Sequence, residues 1–223
     1  MMLKSKADGF SFEAKHLAPR DARRGGLILV QEIFGVTDGM MQIAESFAEE
    51  GYEVLVPSMF DRSEPGFTAL RDEAGYAKGR AYLQGQTWDQ SMGDIQACVD
   101  ALLGPVFVAG FCYGGTIAWL AASRCTGLTA VSSFYGGKIV DFLGDAPKVP
   151  TILNFGKRDA HITSDAWEAI SAAHPDTPLY LYDGDHGFFS PDRPDYDPEP
   201  AHLARLRTLQ LFHRAGSASN VEA

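Results

Sequence analysis

The stretch Val106-Phe107-Val108-Ala109-Gly110-Phe111-Cys112-Tyr113-Gly114-Gly115 decides how this chain is read. It begins as an apolar run rich in β-branched and aromatic residues and ends in glycines. An apolar, helix-like segment follows from Thr116 to Ser123. Strand, sharp turn, helix is the order this predicts. Gly110, Cys112 and Gly114 fit the pattern glycine-x-nucleophile-x-glycine, in which a strained turn projects the central side chain above a sheet. The flanking glycines are needed because strand and helix backbones approach closely there. The nucleophile position holds Cys112 rather than serine. A helix starting just after it aims backbone N–H groups and a partial positive charge at the sulfur. That favours thiolate, the reactive form. The bland alternative is a buried cysteine in tight strand-to-helix packing.

Working outward, apolar strands alternate with helical periodicity. Phe10 to Leu17 reads as an edge strand or hairpin. Leu27-Ile28-Leu29-Val30 reads as a buried parallel strand. A helix from about Gly39 to Glu50 stops at Gly51, and Tyr52 to Val56 is the next strand, closed by Pro57. A broken helical region covers Ala69 to Leu83. A clearer helix from about Asp89 to Leu103 carries Met92, Ile95, Cys98, Val99 and Leu102 on one face, which makes Cys98 a core residue. Leu128 to Tyr135, Pro150 to Gly156 and Leu179 to Tyr182 are further strands. Ser164 to Ala173 is a helix with Ser164 as its N-cap. A last helix runs from about Pro200 to Arg214, and Ser217 to Ala223 reads as a frayed tail. The pattern predicts an α/β fold, a mostly parallel twisted sheet flanked by helices on both faces, as one domain over residues 1–223.

Composition sets the outer bounds. The chain has 223 residues, a formal net charge of -10 and 45% hydrophobic residues, which is ordinary for a globular protein. The acidic balance argues against nucleic acid or an anionic membrane surface as partner, since both require basic patches. No apolar stretch approaches the ~20 residues of a membrane span. Met1 to Gly9 has lysines but no apolar core, so it does not read as a signal peptide. Cys98, Cys112 and Cys125 show no pairing pattern, which suits a reducing cytoplasm. The six histidines are scattered without ligand spacing, so no metal site is expected. A monomer or small homo-oligomer acting on a small molecule is the expected form.

Three strand-following loops carry chemistry. One holds Cys112. The second reads Lys157-Arg158-Asp159-Ala160-His161, and the third Asp183-Gly184-Asp185-His186-Gly187-Phe188. Nucleophile, acid, histidine is the chain order of an α/β-hydrolase. His186 would hold or accept the thiol proton, and Asp159 would fix its tautomer and stabilise the imidazolium. Asp183 and Asp185 are rival carboxylates and His161 a rival imidazole. Asp159 could equally cap a turn. The segment Gln31-Glu32-Ile33-Phe34-Gly35 follows an early strand, where a second oxyanion donor is expected, so the N–H groups of Ile33 and Tyr113 are the candidates. Glu32 is unexpected beside a thiolate, which its charge repels. It is either a solvated or arginine-paired glutamate, or a group that controls the protonation of Cys112.

Gln31 to Val36, Gly110 to Gly115, Asp159 and Asp185 to Phe188 together resemble the dienelactone hydrolase (carboxymethylenebutenolidase-like) family. The resemblance runs from about Leu27 to the C-terminal helix. It implies a Cys112–His186–Asp159 triad that opens small lactones or esters through an acyl-enzyme, with no metal or organic cofactor. It also implies that Glu32 bonds the thiol at rest and is released when substrate binds. Two arginines would hold a substrate carboxylate. The place of one is Ser190 here, and the nearest arginine is Arg193. For the other, Arg71, Lys78 and Arg80 compete. Arg80, Arg193 and Phe34 are the residues assigned to substrate. The competing function is a non-hydrolytic module of the same fold whose Cys112 is a redox-sensing or ligand-binding thiol.

Overall fold

The computed structural model describes residues 1–219. The first strand pair is a hairpin: β1 (Met2–Lys4) lies antiparallel to β2 (Ser11–Leu17), and β2 lies antiparallel to β4 (Tyr52–Pro57). From β4 onward every pairing is parallel. The remaining strands are β3 (Gly25–Val30), β5 (Val106–Phe111), β6 (Ala130–Phe134), β7 (Thr151–Gly156) and β8 (Leu179–Tyr182). Their order across the sheet is β1-β2-β4-β3-β5-β6-β7-β8. Every residue of β3, β5, β6 and β7 is buried. That is why these strands read as continuous apolar runs rather than alternating ones: parallel strands are covered on both faces.

The covering helices are α1 (Asp38–Glu49), α2 (Glu73–Gly85), α3 (Trp88–Ala101), α4 (Tyr113–Arg124), α5 (Ser164–Ala173) and α6 (Pro198–Ser219). The hydroxyls or carboxylate of Thr37, Asp72 and Thr87 cap α1, α2 and α3 by accepting a backbone N–H. Cys98 is fully buried on α3, and burial pushes its thiol well above the usual range. On α6, Ala204, Thr208 and Phe212 lie one turn apart and face the sheet. Thr208 bonds the Ser132 hydroxyl at 2.8 Å, and Phe212 stacks on Phe107 at 4.6 Å.

Several boundaries differ from the sequence expectation. Helix α4 begins at Tyr113, three residues before Thr116, because Gly114 and Gly115 offer no side chain to hold the backbones apart. Thr163, not Ser164, is the N-cap of α5, and Ser164 is its first helical residue. Helix α6 continues to Ser219, so the expected tail at Ser217 is helical as far as it is described, and residues 220–223 lie outside the described residues. A one-turn 3-10 helix at Ile139–Phe142 carries no periodicity that sequence reading could detect.

The tightest packing lies at the end of β5. A Cβ on Gly110 would fall 1.9 Å from the Gly114 carbonyl oxygen, and one on Gly114 would fall 2.3 Å from that of Val30. Neither neighbour is a flexible side chain. Gly114→Ala is therefore expected to destabilise the protein by about 3 kcal/mol or more. Urea unfolding of the two proteins side by side measures the difference.

Candidate active site

Cys112 occupies the turn between β5 and α4 with φ 55° and ψ -114°, in the left-handed region for a residue with a side chain. Such a conformation costs of order 1–3 kcal/mol and persists where the surroundings enforce it. Here the Cys112 N–H donates to the Phe134 carbonyl at 3.1 Å, and its own carbonyl accepts from Gly115 at 3.0 Å and Thr116 at 3.3 Å. The side chain is thereby left outside the backbone network, half-buried at the N-terminus of α4. It lines a cavity of about 330 Å³ whose wall also includes Phe34, Tyr76, Arg80, His186 and Arg193.

The loops after β7 and β8 bring the other two groups of the triad expectation together. His186 Nδ1 lies 2.7 Å from Asp159 Oδ2. The other oxygen of Asp159 accepts the N–H groups of His161 at 2.7 Å and Ile162 at 3.1 Å. The turn-capping role and the imidazole-holding role therefore coexist in one carboxylate. Burial raises the Asp159 carboxyl, but the His186 hydrogen bond and charge and the two backbone donors outweigh it and hold it below its usual value. Burial likewise opposes a charged His186. The pull of the Cys112 sulfur and the hydrogen bonds to Asp159 and Cys112 reverse this and push the imidazole up to about 10. The rival carboxylates lie elsewhere, while the rival imidazole lines the same cavity. Asp183 and Asp185 both pair with Arg158 at the surface, the latter at 3.3 Å. His161 meets His186 edge-on, with ring centres 5.2 Å apart.

The loop after β3 runs beside the elbow, and Gly114 donates to the Gln31 carbonyl at 3.1 Å. Among the hydrogen bonds of the described residues, the N–H groups of Ile33 and Tyr113 have no acceptor. Glu32 is 2% exposed, and both its oxygens are taken by guanidiniums: Oε2 by Arg71 at 2.8 Å, Oε1 by Arg193 at 3.2 Å. This is the arginine-paired arrangement, and among the hydrogen bonds of the described residues none joins Glu32 to Cys112. Charge-assisted bonds to two cations outcompete a neutral thiol donor.

The three cations that spacing could not separate have different partners. Lys78 pairs with Glu64 at 2.6 Å. Arg71 bridges Glu32 and Asp192, the latter at 2.6 Å. Arg80, on α2, lines the cavity and makes no ion pair among the described residues. Ser190 stands where the resemblance implies an arginine. It is buried and its hydroxyl lies 3.3 Å from that of Tyr135, while the guanidinium arrives from Arg193 three residues later. Arg193 bonds Asp195 at 3.1 Å as well as Glu32.

Sequence reasoning missed Tyr135. It is fully buried at φ 38°, with its ring 5.0 Å from that of His186. Burial and the Glu32 charge keep its hydroxyl protonated far above the usual range. Its only signal was a tyrosine followed by Gly136-Gly137 at a strand end, which does not distinguish it from a turn. Among the described residues no group of three or more His, Cys, Asp or Glu is arranged to hold a metal, and no helix is long and apolar enough to cross a membrane.

A mostly parallel sheet with a nucleophile elbow, and an acid and a histidine on later strand-following loops, defines an α/β-hydrolase. Residues 12–216 match the dienelactone hydrolase family, and the chain belongs to it. It is 29% identical over 208 residues to the "Putative carboxymethylenebutenolidase" of Synechocystis sp., covering 83% of this chain and 84% of the relative. It is 29% identical over 227 residues to the carboxymethylenebutenolidase of Pseudomonas sp. strain P51, covering 93% of this chain and 95% of that protein. The crystal structure of the "Putative Dienelactone Hydrolase" of Klebsiella pneumoniae superposes with a TM-score of 0.80 at 25% identity, covering 94% and 96% of the two chains. The protein is a dienelactone hydrolase-like hydrolase.

Because the folded His186 pKa is raised, its stabilising contribution is complete below about pH 6.5, the unfolded value, and is lost as pH rises toward 10. Because the Asp159 pKa is depressed, its contribution is present above about pH 4 and is lost on acidification below that. The stability gap between the wild type and His186→Gln is therefore expected to be widest between about pH 4 and 6.5 and to close by about pH 10. Thermal melts across that range measure it.

Proposed function

We propose that this protein is a carboxylic ester hydrolase that opens small lactones or esters through a thioester on Cys112. The observation that carries the reading is the placement of His186 between the Cys112 sulfur and the Asp159 carboxylate, with the sulfur on the strained elbow facing the cavity. In the first half-reaction the sulfur attacks the acyl carbon, forming a C–S bond. The N–H groups of Ile33 and Tyr113 receive the oxyanion, each such donor contributing on the order of 10²–10³ in rate. The C–O bond then breaks, and the leaving oxygen takes the proton held by His186. In a lactone that oxygen remains on the acyl group.

The second half-reaction follows from the electrostatics. Acylated Cys112 carries no charge, so one of the contributions that raises the His186 pKa disappears and the imidazole is a better general base for water. Water adds to the thioester, the C–S bond breaks, and the acid leaves with Cys112 restored. Asp159 holds the ring throughout. The cavity suits a small substrate, since it is near the lower end of ordinary ligand sites. Phe34 and Arg193 line it, and Arg80 is its cation left to meet a polar or anionic group of the substrate.

Cys112→Ala is expected to abolish hydrolysis of a panel of activated esters and enol lactones, and Cys112→Ser to lower it by at least about 10²-fold, as removal of an activated nucleophile does. Retained activity in the alanine variant would rule out this mechanism. Steady-state kinetics on the panel decides.

A further inference from the structure

The wall of the cavity that holds Cys112 is charged opposite to the chain as a whole. The protein has 29 acidic and 19 basic residues, a formal net charge of -10. Yet among the described residues that line the cavity there is no aspartate or glutamate, while Arg80, Lys138 and Arg193 all line it. A cleft lined by one sign of charge focuses its field and gathers ligands of the opposite sign. Arg193 is already engaged by Glu32 and Asp195. Arg80 makes no ion pair among the described residues. Lys138 pairs with Asp141 at 3.0 Å, but both side chains are more than half exposed, and a pair so exposed holds its lysine weakly. Two cations are therefore left to a ligand.

They are carried by different walls. Arg80 follows Gly79, where α2 packs so closely on the loop after β3 that an added Cβ would fall 2.3 Å from the Ile33 carbonyl oxygen. Lys138 belongs to the segment after β6. Its N–H donates to the Thr116 hydroxyl at 3.2 Å, and the next residue, Ile139, is fully buried. A Cβ added to the preceding Gly137 would touch Ile162 at 3.5 Å. Phe142, at the end of the same 3-10 turn, meets Trp88 edge-on at 5.1 Å. The backbone of Lys138 is thus anchored, while its flexible stem leaves the ammonium free to turn toward the cavity. Leu83, Trp88 and Ile162 add apolar surface to the same cavity. These walls suit a ligand with an anionic group at each end of an apolar spacer, and a volume of about 330 Å³ keeps that spacer short.

We propose that Lys138 is a specificity-determining residue that meets a second carboxylate of the substrate, so that the site selects short aliphatic acyl compounds carrying two carboxylates over those carrying one. The inference deepens the proposed function and rests on this cavity being its substrate site. Its test is a binding measurement that needs no turnover. The two claims therefore fail separately: the ester panel tests hydrolysis by Cys112, and ligand binding tests Lys138. Lys138 makes and breaks no bond. It decides which ligand stays.

The test is isothermal titration calorimetry of the whole protein at pH 7 and constant ionic strength. The ligands are succinate, glutarate and adipate, each compared with its monoamide, succinamate, glutaramate or adipamate. The amide keeps the shape of a carboxylate and removes its charge. At the chain length that fits, the diacid is expected to bind about fivefold more tightly than its monoamide, as one charge-assisted bond at a partly solvated site provides. Lys138→Met is expected to bring the two within about twofold of each other while changing monoamide binding by less than about twofold. Lys148→Met removes the same charge from the same segment but off the cavity wall, and is expected to keep the preference. Absence of saturable diacid binding overturns the proposal, as does equal binding within every pair. So does a preference that survives Lys138→Met, or one that Lys148→Met abolishes as well.

Discussion

The close approach of three backbones at the end of β5 is the constraint on which the rest of the site depends. Gly110, Gly114 and the Val30 carbonyl meet at distances that leave no room for a methyl group. The chain can reverse from strand to helix there only by putting Cys112 in a left-handed conformation. That conformation aims the sulfur out of the sheet and sets the first turn of α4 beneath it. The same contact ties the loop after β3 to the elbow. Ile33 and Tyr113 therefore line the same cavity as Cys112 through packing of the backbone.

Charge balance is the second constraint. The site gathers an acidic chain, Glu32, Asp192 and Asp195, interleaved with Arg71 and Arg193. Each buried charge has an opposite neighbour, as burial demands. His186 and Asp159 form a separate pair. Both groups are thus internally compensated, and Glu32 is not an uncompensated carboxylate.

How much of this was legible in the sequence depends on range. The elbow, the strands and the order Cys112, Asp159, His186 could be read because glycine spacing and apolar runs are local signals. α1 and α3 were placed to within a residue or two by their apolar stripes. β1, only three residues long, has no periodicity to read and exists because β2 offers it an edge. Arg193 was visible as the nearest arginine, but its bond to Glu32 spans 161 positions, and no spacing rule reaches that far. The choice among Arg71, Lys78 and Arg80 turned on which acidic residue stood opposite each, information that only the folded chain contains. The fate of Glu32 was left open between an arginine pair and the thiol for the same reason.

The position of Arg193 in the chain has a consequence for biosynthesis. A ribosome making this protein releases Glu32 early and the guanidinium that caps its Oε1 late, after every strand of the sheet has been made. Until the loop after β8 docks, the nascent domain carries a carboxylate that its own fold has not finished shielding. The Glu32 pairing is therefore incomplete in any fragment that ends before Arg193, and it is coupled to synthesis of the loop after β8.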